Sequence, residues 1–179
     1  MFTSIDIIVN NFFVINRVDF LNQFFLFITN FGDVWFVLVV SVIVFYFLFR
    51  AKNKALLLFF CLNIIVGEIL VYLLKFVFAT SRPPLATSLV VESSFGFPSG
   101  HAFSAIILYF SIYIIMKKLP LKFSSKIRII FNSILFFLMF LIPLSRMYLG
   151  VHWLSDVIGG ILLGFLVIFI SNKFILNKR

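Results

Sequence analysis

Long uncharged apolar runs limit what this chain can fold into more than any other feature. Five such runs occupy residues 34–49, 55–74, 102–116, 129–144 and 157–171, and only Glu68 places a charge inside one of them. A helix needs about 20 apolar residues to cross a bilayer. Only 12% of the chain is charged, against about 25% in soluble domains. We therefore expect an all-α integral membrane protein, a bundle of five to six transmembrane helices with an N-terminal amphipathic segment.

The positive charges predict how these spans are oriented. Eleven of the fifteen Lys and Arg residues lie on one side of the predicted membrane, with no Asp or Glu among them. By the positive-inside rule this side is cytoplasmic. The net charge of +9 is therefore a topology signal and does not indicate nucleic-acid binding, because the charges lie in short loops between spans. The eleven are Arg50, Lys52, Lys54, Lys117, Lys118, Lys122, Lys126, Arg128, Lys173, Lys178 and Arg179.

The opposite side holds the remaining basic residues, both histidines and two acids. These side chains are Arg17, Lys75, Arg82, Arg146, His101, His152, Glu92 and Asp156. Both histidines and most of these charges flank the apolar runs, about where lipid headgroups lie. The chemistry of the chain is therefore expected on the outer face.

Residues 1–33 contain no clear span. Between residues 19 and 31 apolar residues recur at helical spacing with polar residues between them, which is typical of a helix lying in the membrane interface. We predict that residues 1–33 form an N-terminal interfacial segment with the terminus outside, followed by a transmembrane domain at 34–179. A sixth span built from this segment is the alternative. The start has no basic region or cleavage site typical of a signal peptide.

A first polar cluster closes the second apolar run. Lys75 ends the run and Arg82 begins a proline-containing loop. Each alone could be an interfacial anchor. Glu68 lies seven residues before Lys75, on the same helical face and about two turns deeper. A carboxyl group inside a span indicates a functional residue, a partner for a polar group such as Arg146, or a protonated and packed acid.

A second cluster, Pro98-Ser99-Gly100-His101, opens the third apolar run. Ser99 is a favourable N-cap for a helix beginning at Gly100. The N-terminus of a helix presents free N–H groups and a partial positive charge, which suit a phosphate. Gly100 would let the anion approach the backbone, and His101 lies in the first turn. A capped helix with an incidental histidine is the alternative.

A third cluster, "SRMYLGVHWLSD", links the last two runs. Arg146 ends one run, and His152 and Asp156 are four residues apart, so they share a helical face. A carboxylate beside a histidine fixes its tautomer and raises its basicity. Three cations, a helix N-terminus and two histidines on one face together favour phosphoryl transfer. No Cys, His or Asp set has the spacing of a zinc site.

These residues resemble the three motifs of the type 2 phosphatidic acid phosphatase (PAP2) superfamily. Lys75, six residues and Arg82-Pro83 match the first motif, and Pro98-Ser99-Gly100-His101 matches the second. The third is matched by Ser145-Arg146, five residues, His152, three residues and Asp156. The motifs occur in the family's order over just under half of the chain. The stretch "ESSFGFPSGH" is similar to small bacterial members of the family.

The resemblance implies a metal-independent lipid phosphatase without a cofactor. His152 would form a phosphohistidine, Asp156 would orient it, and His101 would protonate the leaving group. The phosphate would be held by Lys75, Arg82, Ser99, Gly100 and Arg146. Implied substrates are phosphatidylglycerophosphate, phosphatidic acid, undecaprenyl pyrophosphate or a lipid A phosphate, in a bacterial inner membrane and without an obligate protein partner. A non-enzymatic lipid-phosphate transporter is the alternative, although phosphate binding alone needs no nucleophile.

Overall fold

The computed structural model describes residues 3–120 and 122–177, and within them every regular element is a helix. Short 3₁₀ turns occur at Asn30–Gly32 and Leu85–Thr87. Lys178 and Arg179, which were assigned to the basic cytoplasmic side, lie outside the described residues. The helices are α1 (Ser4–Ile15), α2 (Asp19–Thr29), α3 (Val34–Arg50), α4 (Lys54–Phe78), α5 (Gly100–Lys118), α6 (Ser125–Tyr148) and α7 (Leu154–Leu176).

Each of the five predicted spans coincides with a helix, which confirms the all-α membrane fold. Among the described residues, α4, α5, α6 and α7 are long and apolar enough to cross a bilayer. Helix α3 has 17 residues and reaches that length only together with Asp19–Gly32, to which it is joined at a bend of 46°. The described part of the chain therefore contains four spans, or five if this bent pair counts as one.

The outer surface of the helices is apolar, as a lipid-facing surface must be. Trp35 on α3, Phe140 on α6 and Phe169 on α7 are all at least 65% exposed. In water such a surface would be strongly unfavourable, whereas hydrocarbon chains solvate it without cost. The buried core instead lies between helices, where Phe59, Phe103 and other apolar side chains pack together.

Helices α5 and α7 pack closely through two glycines one turn apart. A Cβ atom at Gly160 would lie 3.2 Å from the Cβ of Ala102, and one at Gly164 would lie 2.9 Å from the Cβ of Ile106. Small residues four apart allow membrane helices to approach at the backbone. Because α5 begins with His101 and α7 follows His152, this contact brings the two histidine-bearing helix ends together.

The N-terminal helices pack on the same end of the bundle. Helix α1 buries Asp6 and Asn10 while exposing Ile5, Ile8 and Phe12. Its 12 residues reach about 18 Å, which is too short to span a bilayer. Helices α1 and α2 both contact α6, and α1 also contacts α7. The division into an interfacial segment at 1–33 and a domain at 34–179 stays a prediction.

Candidate active site

The loop between α4 and α5 folds back on itself and carries part of the site. Helix α4 ends where Ala79 adopts a left-handed conformation, with φ of 44°. Further on, the N–H of Gly96 donates to the carbonyl oxygen of Thr80 at 2.9 Å, and the N–H of Phe97 donates to the Thr80 hydroxyl at 2.7 Å. These bonds bring the end of the loop back to its beginning, so the C-terminus of α4 lies beside the N-terminus of α5.

The same loop is fixed to the turn between α6 and α7. The N–H of Leu89 donates to the carbonyl oxygen of Leu149 at 2.9 Å, and the Ser88 hydroxyl donates to that of Gly150 at 2.6 Å. Gly150 has φ of +73°, and a Cβ there would lie 2.6 Å from the carbonyl oxygen of Thr87. The turn therefore needs glycine, both for its backbone conformation and for its contact with the loop.

Lys75 and Arg82 point into this junction. The Lys75 ammonium group donates to the carbonyl oxygen of Phe95 at 2.7 Å. Arg82 donates from Nε to the carbonyl oxygen of Ser94 at 2.7 Å and from Nη1 to that of Val151 at 2.8 Å. Burial lowers the pKa of Arg82 from its ordinary value, while Glu92 and Asp156 raise it. Both side chains are thus aimed by backbone oxygens of the two loops.

Arg146 is almost completely buried, at 2% exposure, at the end of α6. Its Nη1 donates to the hydroxyl of Thr29 at 2.6 Å, and its Nη2 forms an ion pair with Glu92. The other Glu92 carboxylate oxygen lies 3.9 Å from Arg82. The Nε of Arg146 is buried without a hydrogen-bond partner. A carboxylate therefore lies between two of the three cations that were predicted to bind a phosphate.

Glu68 has a different partner from the one considered in the sequence. The hydroxyl of Ser104 on α5 donates to its Oε1 at 2.5 Å. The ion pair with Arg146 is not formed, because Arg146 turns toward Thr29 and Glu92 at the level of the loop. Glu68 lies about two turns deeper than Lys75, beyond the reach of that arginine.

His152 and Asp156 form a buried pair, each 2% exposed. The His152 Nδ1 and the Asp156 Oδ2 are 3.3 Å apart, and the same oxygen accepts the backbone N–H of Trp153 at 3.0 Å. On the other side of the ring, Nε2 lies 3.0 Å from Nη1 of Arg82. Because arginine can only donate, Nε2 accepts, and the ring proton lies on Nδ1 toward Asp156.

The electrostatic surroundings keep His152 uncharged. Burial lowers the pKa of its imidazole well below the ordinary value of 6.5, and the positive charges of Arg82, Arg146 and Lys75 lower it further. At neutral pH the ring is therefore neutral, with the lone pair of Nε2 facing the cations. A neutral imidazole is the form that can attack an electrophile.

Ser99, Gly100 and His101 complete the arrangement at the start of α5. Ser99 is the N-cap of a helix that begins at Gly100, as predicted, but its hydroxyl makes no capping bond and is buried without a hydrogen-bond partner. A Cβ on Gly100 would meet only the Lys75 Cε at 3.9 Å, which leaves open space over the backbone. The His101 ring packs against Gly32, where a Cβ would lie 3.2 Å from its Cδ2.

A cavity of about 380 Å³ gathers most of the predicted residues. Its upper wall is polar, and its deeper wall includes Val71 and Tyr72 of α4. Arg146, Ser99 and Asp156 do not line it, although Asp156 contacts His152 and Arg146 contacts Glu92, which both do. Predicted site residues that line the cavity are Glu68, Lys75, Arg82, Gly100, His101 and His152.

Several residues that shape the site were not assigned to it from the sequence. Glu92 and Ser94 contact the arginines from the loop, and Thr29 contacts Arg146 from the N-terminal helices. Glu92 had a usable signal, since it is one of six acids in the chain and lies on the same face as the cations. Thr29 had none, because its contact depends on how α2 packs.

The fold and the site define a membrane phosphatase, and the chain belongs to the PAP2 superfamily. The sequence profile of that superfamily matches residues 56–179. The chain is 36% identical over 166 residues to phosphatidylglycerophosphatase B of Bacillus subtilis (strain 168), covering 90% of this chain and 78% of the relative. It is also 25% identical over 122 residues to human sphingosine-1-phosphate phosphatase 2, covering 66% of this chain and 29% of that protein.

Solved structures give the same result. The crystal structure of a transmembrane PAP2-type phosphatidylglycerolphosphate phosphatase from Bacillus subtilis matches with a TM-score of 0.81 and 33% identity, over 98% of this chain and 87% of that one. Aquifex aeolicus LpxE shares the fold, with a TM-score of 0.67 and 24% identity over 96% and 97% of the two chains. The protein is therefore a PAP2 lipid phosphatase, and these relatives do not support the alternative of a non-enzymatic transporter.

Proposed function

We propose that this phosphatase hydrolyses the phosphomonoester or pyrophosphate of a membrane lipid through a phosphohistidine at His152. The observation that carries the proposal is the polarity of the His152 ring, with Nδ1 directed to Asp156 and Nε2 accepting from Arg82. Such a ring needs no proton transfer before it attacks. Phosphatidylglycerophosphate, phosphatidic acid, undecaprenyl pyrophosphate and lipid A phosphate are the substrates we consider.

The first step forms a bond between Nε2 of His152 and the phosphorus atom, while the bond to the leaving oxygen breaks. His101 donates a proton to that oxygen, so that the lipid leaves as a neutral alcohol or as a lipid monophosphate. General acid catalysis of this kind contributes about 10²–10⁴-fold. Asp156 stabilises the positive charge that develops on the His152 ring as it becomes phosphorylated.

The second step returns the enzyme to its starting state. His101, now unprotonated, accepts a proton from a water molecule whose oxygen attacks the phosphorus atom. The bond between phosphorus and Nε2 of His152 breaks, inorganic phosphate leaves, and His101 is protonated again. His101 therefore acts as the acid in the first half of the cycle and as the base in the second, as microscopic reversibility requires, while His152 is first the nucleophile and then the leaving group.

Phosphate binding is assigned to three cations and the start of α5. Lys75, Arg82 and Arg146 neutralise the non-bridging oxygens, and Ser99 and Gly100 supply a free hydroxyl and open backbone. These groups provide the charge stabilisation that metal ions provide in other phosphatases, which supports turnover without a metal. Arg146 pairs with Glu92 through Nη2, and its unpartnered Nε is the donor that remains for a phosphate oxygen.

We place the active site on the periplasmic or extracellular face of a bacterial inner membrane. The site lies at the C-terminal ends of α4 and α6 and the N-terminal ends of α5 and α7. At the other ends of these helices lie four of the basic residues that were assigned to the cytoplasmic side. They are Lys54, Lys117, Lys126 and Lys173. The positive-inside rule then directs the site outward.

The proposal is tested by trapping the phosphoenzyme. Purified protein is mixed with a lipid substrate carrying radioactive phosphate and quenched in alkali, in which phosphohistidine is stable. We expect labelled wild-type protein that loses its label in acid, no label on His152→Ala, and slowed labelling of His101→Ala by about 10²-fold or more. A His152→Ala protein that turns over at near-native rates would show that the nucleophile is another residue.

A further inference from the structure

The cavity extends below the phosphate-binding groups and contains an acceptor that the proposed reaction does not use. Glu68 lines this deeper part, together with Ser104, Val71 and Tyr72. The Ser104 hydroxyl donates a hydrogen bond to Oε1 of the Glu68 carboxyl group at 2.5 Å. Apart from this bond, the carboxyl group faces the cavity. A polar pair in an otherwise apolar wall is costly unless a partner completes its hydrogen bonds.

The depth of the pair relates it to a particular part of a bound lipid. Ser104 follows His101 by three residues on α5, so it lies about 4.5 Å further along the helix axis. The leaving oxygen of the substrate lies at His101. A group about 4.5 Å beyond that oxygen is separated from it by three or four bonds. Glu68 and Ser104 are therefore placed opposite a substituent on the second or third carbon of the leaving alcohol.

The direction of the substrate follows from the polarity of the walls. The cations and both histidines lie at the loop end, and the exposed side chains of Val34 and Tyr72 flank the deeper part. A lipid phosphate must place its anion among the cations and its hydrocarbon toward the bilayer. The alcohol carbons nearest the scissile bond then pass Glu68 before the acyl chains begin.

Building on the proposed function, we propose that Glu68, held by Ser104, binds a hydroxyl or ammonium group on the carbon next to the phosphorylated carbon of the leaving alcohol. The preferred substrates are then phosphomonoesters of polyol or amino-alcohol lipids. Phosphatidylglycerophosphate carries such a hydroxyl on its headgroup glycerol. Phosphatidic acid has both neighbouring oxygens esterified, and a prenyl pyrophosphate has no donor at that distance.

A matched pair of lipids tests the inference. The first is phosphatidylglycerophosphate, and the second is the same lipid with the 2-hydroxyl of the headgroup glycerol replaced by hydrogen. For the wild-type enzyme we expect kcat/KM to be about tenfold higher for the hydroxyl lipid, the effect of one hydrogen bond to a charged or strongly polar acceptor. The Glu68→Leu variant should hydrolyse both lipids at similar rates.

Leucine is informative because its side chain has neither a donor nor an acceptor. A glutamine NH₂ group could still donate to the substrate hydroxyl, whereas Glu68→Leu removes the partner of both that hydroxyl and Ser104. The variant therefore loses the preference. The variant should have a lower kcat/KM for the hydroxyl lipid only. Its kcat/KM for the deoxy lipid shows whether the enzyme is folded and active.

Ser111→Ala is the matched control for a loosened helix bundle. It also removes a buried serine hydroxyl from α5, one that accepts from the Asn63 amide at 3.1 Å, but outside the cavity. We expect it to keep the tenfold preference. A wild-type enzyme that hydrolyses both lipids equally, or a Glu68→Leu variant that keeps the preference, would overturn the inference but not the phosphatase. Hydrolysis of neither lipid would overturn the proposed function itself, and the inference with it.

Discussion

Replacement of Asp6 by alanine should weaken both the fold and the reaction, although Asp6 belongs to none of the PAP2 motifs. Its side chain is 1% exposed and connects α1 to the first turn of α7. Oδ1 accepts the backbone N–H of Ser155 at 2.8 Å, and Oδ2 accepts the Ser155 hydroxyl at 3.1 Å. Ser155 directly precedes Asp156, so Asp6 acts as an external cap on the helix that carries the His152 partner.

The size of the effect follows from the groups left unpaired. Asp6→Ala leaves the N–H and hydroxyl of the half-buried Ser155 without this acceptor, at about 1–3 kcal/mol for each group that finds no other partner. The lost negative charge at a helix N-terminus adds about 0.3–1 kcal/mol. Partial rearrangement reduces the sum, so we expect a loss of about 2–4 kcal/mol in the free energy of unfolding. Asp6→Asn keeps an acceptor and should lose about half as much.

Activity should fall by a different route. A shift of the first turn of α7 moves Asp156 relative to the His152 ring, and misplacement by about 1 Å can cost up to about 10²-fold in rate. We therefore expect kcat to fall about tenfold or more with little change in KM, because the phosphate-binding cations lie on other elements. Thermal unfolding in detergent and steady-state phosphate release from a lipid substrate measure the two effects.

The matched control is Asp19→Ala, which removes an exposed acid from the first turn of α2, where it makes no capping bond. Such a surface change should alter stability by about 0.5 kcal/mol or less. If Asp6→Ala unfolds and turns over like Asp19→Ala, then the contact with Ser155 does not position the catalytic pair, and the reasoning is refuted.

Two further predictions concern the metal and the topology. Turnover after dialysis should survive excess EDTA, because the phosphate-binding side chains already supply three positive charges; complete loss that Mg²⁺ or Zn²⁺ restores would contradict this. In a Cys61→Ser background, an impermeant thiol reagent applied to intact cells should label a cysteine at Val91, on the site side, and leave one at Phe123 unlabelled. The reverse pattern would place the active site in the cytoplasm.

The sequence was sufficient to predict the spans and the ends of the helices at which chemistry could occur. Apolar runs and positive charges are local properties, and they identified α3 to α7 correctly. The motif spacing also predicted that His101 and His152 would meet, because both lie at helix starts on the same face. The position of Glu92 could not be predicted in this way. Its place between two arginines depends on the path of the loop, which no periodicity describes.

The sequence suggested Arg146 as an example of a polar partner for Glu68, and this example was wrong for a related reason. Helical spacing gave its depth below Lys75, and that depth was sufficient to identify a residue inside the membrane. It could not give the rotation of α4 relative to α5 and α6, which depends on close packing such as that at Gly67 on α4, where a Cβ atom would lie 2.8 Å from Cζ of Phe103 on α5. That rotation places Ser104, and not Arg146, against the carboxyl group.

The N-terminal helices are physically part of the catalytic unit, whatever their relation to the membrane plane. The PAP2 profile begins at residue 56, yet the buried guanidinium group of Arg146 depends on Thr29 for one of its hydrogen bonds. Asp6 caps α7 from the same side. A buried cation left without partners is strongly destabilising. Because these contacts come from two separate helices, removing residues 1–33 would take a hydrogen-bond acceptor from Arg146 and the cap from the first turn of α7, so the site requires more of the chain than its motifs indicate.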